Sequence, residues 1–360
     1  MMSTYKVLIV DDSAFMRKII SDLIMEDLQF EVIGTARNGL EAVEMTRALR
    51  PDVVTMDVAM PIMNGLEALQ IIMNDTPIPV IMLSSMTGVG TQETIRALEL
   101  GAVDFIRKPS GSISLDLHIV KEHILDKLKI AVQAKVQSIR SKLERSSVSV
   151  KEMSHLSNGV LKEMEDKVIP FDHVVAIGTS TGGPRALQAV LSGLPQDFAA
   201  PVLIVQHMPP NFTKSLAIRL DTYCSLHVVE AEDGLRVSAG TVYIAPGGWH
   251  MSMIRQSDQF IIKLNKEEPR AGHRPSVDVL FESLIPLKEF KRHIIIMTGM
   301  GSDGAKSLKK LKESGANTTI AESEETCIVF GMPRAAIEFG GVDYILKQQE
   351  ISNKLIELVQ

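Results

Sequence analysis

The chain has 360 residues, of which 45% are hydrophobic and 23% charged, the balance of a globular protein of about two domains rather than a disordered or fibrous one. Acids outnumber bases 44 to 38 for a net charge of −6, and aromatics are only 4%, so a large nucleic-acid footprint or a base-stacking platform is excluded. Two distant cysteines, Cys224 and Cys327, exclude a disulfide framework and a cysteine-rich metal centre.

The opening stretch MMSTYKVLIVDDS meets acids at once and lacks a signal-peptide pattern. No apolar run approaches the roughly 18 residues of a membrane span. These features predict a cytoplasmic protein with no membrane insertion.

Short apolar runs at 5–10, 32–36, 52–56, 79–83 and 103–106 alternate with amphipathic stretches such as 15–27 and 39–49. Strand–helix alternation of this kind predicts a parallel sheet covered by helices on both faces. Asp11 and Asp12 follow the first run, Asp57 the third, Ser84 the fourth and Lys108 the fifth. Sites in open parallel sheets form outside the carboxyl ends of strands. A lone strand-end Asp is ordinarily a helix cap or a solvated turn residue. Three acids, a hydroxyl and an ammonium at five such ends instead suit a hard divalent cation beside a phosphoryl group.

VDDS at 10–13, Asp57 within MDVAMPIMNG, Ser84 within IMLSS and Lys108-Pro109 together resemble the receiver domain of response regulators. The resemblance implies a flavodoxin-like doubly wound sheet and phosphorylation of Asp57 by a histidine kinase. It implies Mg2+ held by Asp11, Asp12, Asp57 and the carbonyl of Ala59. Ser84 would sense the phosphoryl group, Lys108 would bind it, and Phe105 stands where the family often has an aromatic switch residue.

Residues 117–143 read as helical, and the segment after them is polar and aperiodic. The expected division is a receiver at 1–125, a partly helical linker at 126–169, and a second, larger α/β domain at 170–360. In that domain apolar runs at 173–180, 201–207, 241–245, 293–299, 317–321 and 343–346 recur. Helical patterns at 183–194, 211–223, 276–288, 303–315 and 332–340 separate most of them. Residues 227–275 predict a small antiparallel element.

Gly178-Thr-Ser180-Thr-Gly182 is a G-x-S-x-G turn between a strand and a helix, the form of a nucleophile elbow. The same turn would also serve as a phosphate-cradling loop or a plain cap. A serine nucleophile needs a base, and the base an orienting carboxylate. His207 ends one strand run and Asp303 follows another, which brings the three to one sheet edge. A rival pattern competes: Gly299, Gly301 and Gly304 spell G-x-G-x-x-G, with Glu322 about 20 residues on, as in dinucleotide-binding units. Against it, Asp303 would put negative charge in the turn that receives pyrophosphate.

IGTSTGGP, VQHMPPNFT, VYIAPGG, HRPSVDVLF and MTGMGSDGA, in this order over about 170–350, closely resemble the protein-glutamate methylesterase family of bacterial chemotaxis. The resemblance implies a Rossmann-like catalytic sheet. Ser180 would be the nucleophile, His207 the general base and acid, and Asp303 its orienting carboxylate. The amide of Met300, or one near Thr181, would hold the oxyanion, and the esterase reaction would need no cofactor. The implied substrates are glutamate methyl esters, and glutamines, on methyl-accepting chemoreceptors, with a chemotaxis histidine kinase as phosphodonor. Arg274 and Trp249 stand as possible substrate-rim residues, and Ser276 as the N-cap of a helix.

Overall fold

A computed structural model describes residues 4–84, 88–108, 117–136 and 168–359. The chain divides into two compact units, Met1–Leu143 and Glu144–Gln360. In the first, strands β1 (Tyr5–Val10), β2 (Phe30–Ala36), β3 (Val53–Asp57), β4 (Val80–Ser84) and β5 (Asp104–Arg107) form one sheet in the order β2-β1-β3-β4-β5. Every pairing is parallel, and this order is that of flavodoxin-like folds. Helices α1 (Ala14–Met25), α2 (Gly39–Leu49), α3 (Gly65–Asp75), α4 (Gly88–Glu99) and α5 (Leu117–Ala131) connect and cover it. Val7, Leu8, Ile9 and Val10 of the central β1 are fully buried. Side-chain caps fix where three helices start: Ser13 for α1, Asn38 for α2, and Asn64 with Glu67 as a capping box for α3.

The helix expected over 117–143 stops at Ala131, and the expected linker start at 126 falls inside it. Ile124, Leu128 and Ala131 bury the apolar stripe of α5, and Lys127 Nζ lies 2.5 Å from Asp104 Oδ2. Beyond Ala131 the stripe ends. Most of the expected linker, 137–167, lies outside the described residues.

The second unit has a seven-stranded sheet in the order β14-β13-β12-β6-β7-β9-β8, all parallel. Its strands are β6 (His173–Thr179), β7 (Val202–Gln206), β8 (His227–Glu230), β9 (Thr241–Ile244), β12 (Lys291–Ile296), β13 (Thr318–Glu322) and β14 (Tyr344–Leu346). A separate hairpin, β10 (His250–Gln256) with β11 (Gln259–Asn265), is antiparallel. Helices α6 (Gly183–Leu191), α7 (Phe212–Asp221), α8 (Val277–Leu284), α9 (Ala305–Glu313), α10 (Met332–Glu338) and α11 (Gln348–Val359) complete it. Within 227–275 the antiparallel pairing is the hairpin with the isolated bridges Arg236–Ile261 and Arg270–His273, while β8 joins the edge of the parallel sheet beside β9.

β12 begins at Lys291, two residues before the apolar run that predicted it. Arg292, only 2% exposed, is what hydropathy hides. Its guanidinium donates to the carbonyls of Leu284, Ile285 and Ser314, at the C-terminal ends of α8 and α9. A cation is favourable at such helix ends. Strand order reverses between β6 and β12: β7 lies on one side of β6 and β12 on the other. Carboxyl ends at such a reversal are where α/β sheets place their sites. Among the described residues no helix is long and apolar enough to cross a membrane.

Candidate active site

In the first unit, β1 and β3 deliver Asp11 and Asp57 to the same edge. Carboxylate oxygens of Asp11, Asp12 and Asp57 lie within 4.8 Å of one another. Asp11 and Asp57 are buried and Asp12 is exposed. Lys108 Nζ sits 2.7 Å from Asp11 Oδ2 and 2.8 Å from Asp57 Oδ2. Burial pushes the Asp57 carboxyl above its ordinary range, against the pull of the Lys108 ammonium. Burial alone would lower Lys108, but its bonds to Asp11 and Asp57 outweigh that and raise it. Arg17 donates to the carbonyls of Asp11 and Asp12, which fixes the turn carrying both acids. Three carboxylates beside the exposed bend at Ala59 make an oxygen-rich set that fits a hard divalent cation.

Ser84 closes β4 and is buried, with Oγ 2.6 Å from Thr94 Oγ1 on α4. Thr94 in turn donates to the carbonyl of Gly90 at 2.7 Å. Phe105 is 7% exposed and lies in register with Met82 of β4.

In the second unit, Ser180 follows β6 and is 9% exposed. The turn that presents it needs glycine: Gly182 has φ +81°, and a side-chain carbon there would fall 2.7 Å from Ile328 Cβ. The Ser180 amide donates to Thr298 O at 3.0 Å. Its carbonyl accepts Gln206 Nε2 at 2.9 Å and the Gly183 amide at 2.8 Å. Gln206 Nε2 also reaches His207 O at 3.2 Å, so one buried amide ties the serine turn to the histidine turn.

His207 Nε2 donates to Asp303 Oδ2 at 2.8 Å. Asp303 is 4% exposed and accepts three more bonds: Val277 N at 2.7 Å, Ser276 Oγ at 2.9 Å and Asp278 N at 3.0 Å. Burial alone would raise its pKa. The His207 bond and the α8 amides outweigh burial and hold it down at about 2. Ser276 occupies the N-cap position of α8, but its side chain makes no capping bond; the Asp303 carboxylate caps the helix instead. With Nε2 committed, Nδ1 is the remaining nitrogen of His207, buried and without a protein partner. The His273 ring stacks on His207, centroids 3.8 Å apart and planes within 6°.

The loop carrying Met300 abuts the serine. A side-chain carbon at Gly299 would fall 2.7 Å from Ser180 Cβ. Gly299 is held by Val329 O and by the amides of Gly331 and Met332. Met300 itself is 49% exposed and Thr181 is 4% exposed. Trp249, 37% exposed, carries Lys266 Nζ 4.3 Å over its ring. Arg274 donates to the carbonyls of Lys266 and Glu267, so its guanidinium braces a loop.

The dinucleotide reading fails on its acids. Asp303, inside the glycine turn, is taken up by His207 and α8. Glu322 is fully buried, accepting the Thr298 amide at 2.9 Å and the Thr326 hydroxyl at 2.9 Å, and it presents no carboxylate to a ribose. Sequence reasoning passed over Gln206 and Thr298. Gln206 precedes His207 at a strand end, which was the one local signal for it.

Comparisons with known proteins match both parts of the chain. The family model described as CheB methylesterase matches residues 175–355, and that of the response regulator receiver domain matches 7–119. The chain is 53% identical over 358 residues to the protein-glutamate methylesterase/protein-glutamine glutaminase of Geobacillus kaustophilus, covering 99% of each. It is 46% identical over 357 residues to the protein of the same name from Bacillus subtilis, covering 99% of this chain and 98% of that one. The crystal structure of the Thermotoga maritima CheB methylesterase catalytic domain is 47% identical, with a TM-score of 0.51, and the match covers 53% of this chain and 100% of that one.

Proposed function

The chain belongs to the CheB methylesterase family, with a response-regulator receiver domain in front, and from that premise we propose that it is a phosphorylation-controlled serine hydrolase. It acts in the cytoplasm on the methyl-accepting helices of chemoreceptors. There it hydrolyses glutamate methyl esters to glutamate and methanol, and glutamine side chains to glutamate and ammonia, as part of chemotactic adaptation.

One observation carries the chemistry: the His207–Asp303 bond at 2.8 Å, with Asp303 kept ionised by that bond and by the N-terminus of α8. In this reading Asp303 fixes the ring so that Nδ1 is the basic nitrogen. Nδ1 takes the Ser180 proton as Oγ attacks the ester carbonyl, then returns it to the departing methoxide. Water, deprotonated by the same nitrogen, attacks the acyl carbonyl, and the proton passes from Nδ1 to the departing Ser180 Oγ as the acyl bond breaks. The tetrahedral oxyanion is held by backbone amides of the Met300 loop and the Thr181 turn. Ionised Asp303 stabilises the imidazolium formed in both steps. Trp249 lies on the rim that meets the receptor.

Asp57 is the phosphorylation site, with a chemotaxis histidine kinase as phosphodonor. Asp11, Asp12, Asp57 and the Ala59 carbonyl would hold Mg2+, which neutralises charge on the phosphoryl oxygens when bound. Lys108 binds that group, and Ser84 with Phe105 reports it. Methanol release from methylated receptor membranes, with and without a small phosphodonor, tests the whole reading. Release that rises with phosphodonor supports it. No release, or release indifferent to phosphodonor, overturns it.

A further inference from the structure

We propose that Glu322 is a positioning residue of the esterase, acting on Ser180 through the single residue Thr298; this rests on Ser180 being the nucleophile. Glu322 is the acid that the abandoned dinucleotide reading singled out. It is fully buried at the end of β13, and its place in the sheet defines its work.

The β12–β13 ladder ends at the pair Ile296–Ala321, and the β12–β6 ladder at Ile296–Gly178. Two further bonds extend the second ladder toward the reacting group: Met297 N to Gly178 O at 2.9 Å, and Ser180 N to Thr298 O at 3.0 Å. The backbone pairs of the first stop at Ala321. There the Glu322 side chain takes over, with Oε2 accepting Thr298 N at 2.9 Å. Thr298 is thus held at its N–H by Glu322 and holds the Ser180 amide at its C=O. Its hydroxyl donates to Thr181 O at 2.9 Å and accepts the amides of Ile328 and Val329, both at 3.1 Å. The Thr179 hydroxyl also donates to Thr298 O at 3.0 Å.

Glu322 is itself braced: Oε1 accepts Thr326 Oγ1 at 2.9 Å, and that oxygen accepts the Gln348 amide at 3.2 Å. The carboxylate therefore sets the height of the strand end from which both the serine turn and the Met300 loop leave. Catalysis is sensitive at this scale, since a misplacement of about 1 Å lowers turnover by about 100-fold.

The length of the side chain is the variable to test. Glu322→Asp withdraws the carboxylate by about one C–C bond, roughly 1.5 Å. Glu322→Gln keeps the reach, an acceptor for Thr298 N, and a donor for the Thr326 oxygen. Full-length protein is titrated with a fluorophosphonate to count competent serines, and methanol release is expressed per titrated site. Glu322→Asp is expected to lose about 10- to 100-fold in kcat per site, with KM within about twofold. Glu322→Gln is expected to recover most of that loss. A merely structural Glu322 predicts fewer titratable sites and a lower Tm, with kcat per site unchanged in Glu322→Asp; that result overturns the proposal, as does a loss confined to KM. Labelling of Ser180→Ala by the phosphonate would instead remove the Ser180 reading beneath it, so the two failures are told apart.

Discussion

Asp303 Oδ2 lies 2.8 Å from His207 Nε2 and 2.7 Å from the Val277 amide, so one carboxylate both orients the candidate base and caps α8. Orientation and capping thus share one group, and a change there must be felt in rate and in stability together. If the three residues act as a triad, Asp303→Asn is expected to lower methanol release about 10⁴-fold. Loss of the charged cap should also reduce stability by about 1–2 kcal/mol. Kinetics and urea melts on one preparation check both. A rate loss with stability intact would contradict the shared role.

The same carboxylate predicts a pH signature. Its folded pKa of about 2 lies below the ordinary 3.8, so it stabilises the fold above the ordinary value. That contribution is lost as pH falls from about 4 to about 2. Urea midpoints of wild type and Asp303→Asn should differ most above that window and converge through it.

Ser180 and His207 were legible because each directly follows a strand whose apolar run announces itself. Asp303 was reachable because a glycine-rich turn carries it past β12. What the sequence hid depends on groups meeting from distant segments. Asp303 displaces Ser276 as the cap of α8 only because the β12 loop folds back onto that helix. Glu322 matched a dinucleotide spacing, and its work inside the sheet showed only in its full burial against Thr298. Arg292 hid the start of β12 because a buried charge looks like a surface one until its carbonyl partners are known.

A second titration lies on β6 and β12. His293 Nε2 and His173 Nδ1 are 3.0 Å apart, and His293 is 2% exposed. Burial, then the neighbouring His173 and Lys291, lower His293 from 6.5 to about 4. Between those values the unfolded chain binds a proton that the folded one does not, so stability falls as pH drops through the window. His293→Gln should flatten that slope in urea melts from pH 6.5 to pH 4.

The Ser84–Thr94 bond bears on the response to phosphorylation. If Ser84 turns toward a phosphoryl group on Asp57, its 2.6 Å contact with Thr94 must break. Thr94→Val removes a hydrogen bond worth about 1 kcal/mol net and should lower the phosphodonor concentration for half-maximal activation by about fivefold. A dose curve of methanol release reads this directly; an unmoved midpoint would show that the bond does not oppose the switch.

Asp57→Asn should abolish the response to phosphodonor and leave unstimulated release in place. If the oxygen-rich pocket of Asp11, Asp12 and Asp57 serves phosphorylation alone, chelation of divalent cations should have the same effect on wild type. Loss of unstimulated release on chelation would place a metal in the esterase reaction.

The most direct measurement is methanol release from methylated receptor membranes by Ser180→Ala beside wild type, both saturated with phosphodonor. The account predicts a loss on the order of 10⁶-fold, down to what the remaining site supplies without a nucleophile. Release by Ser180→Ala at a near wild-type rate would contradict it.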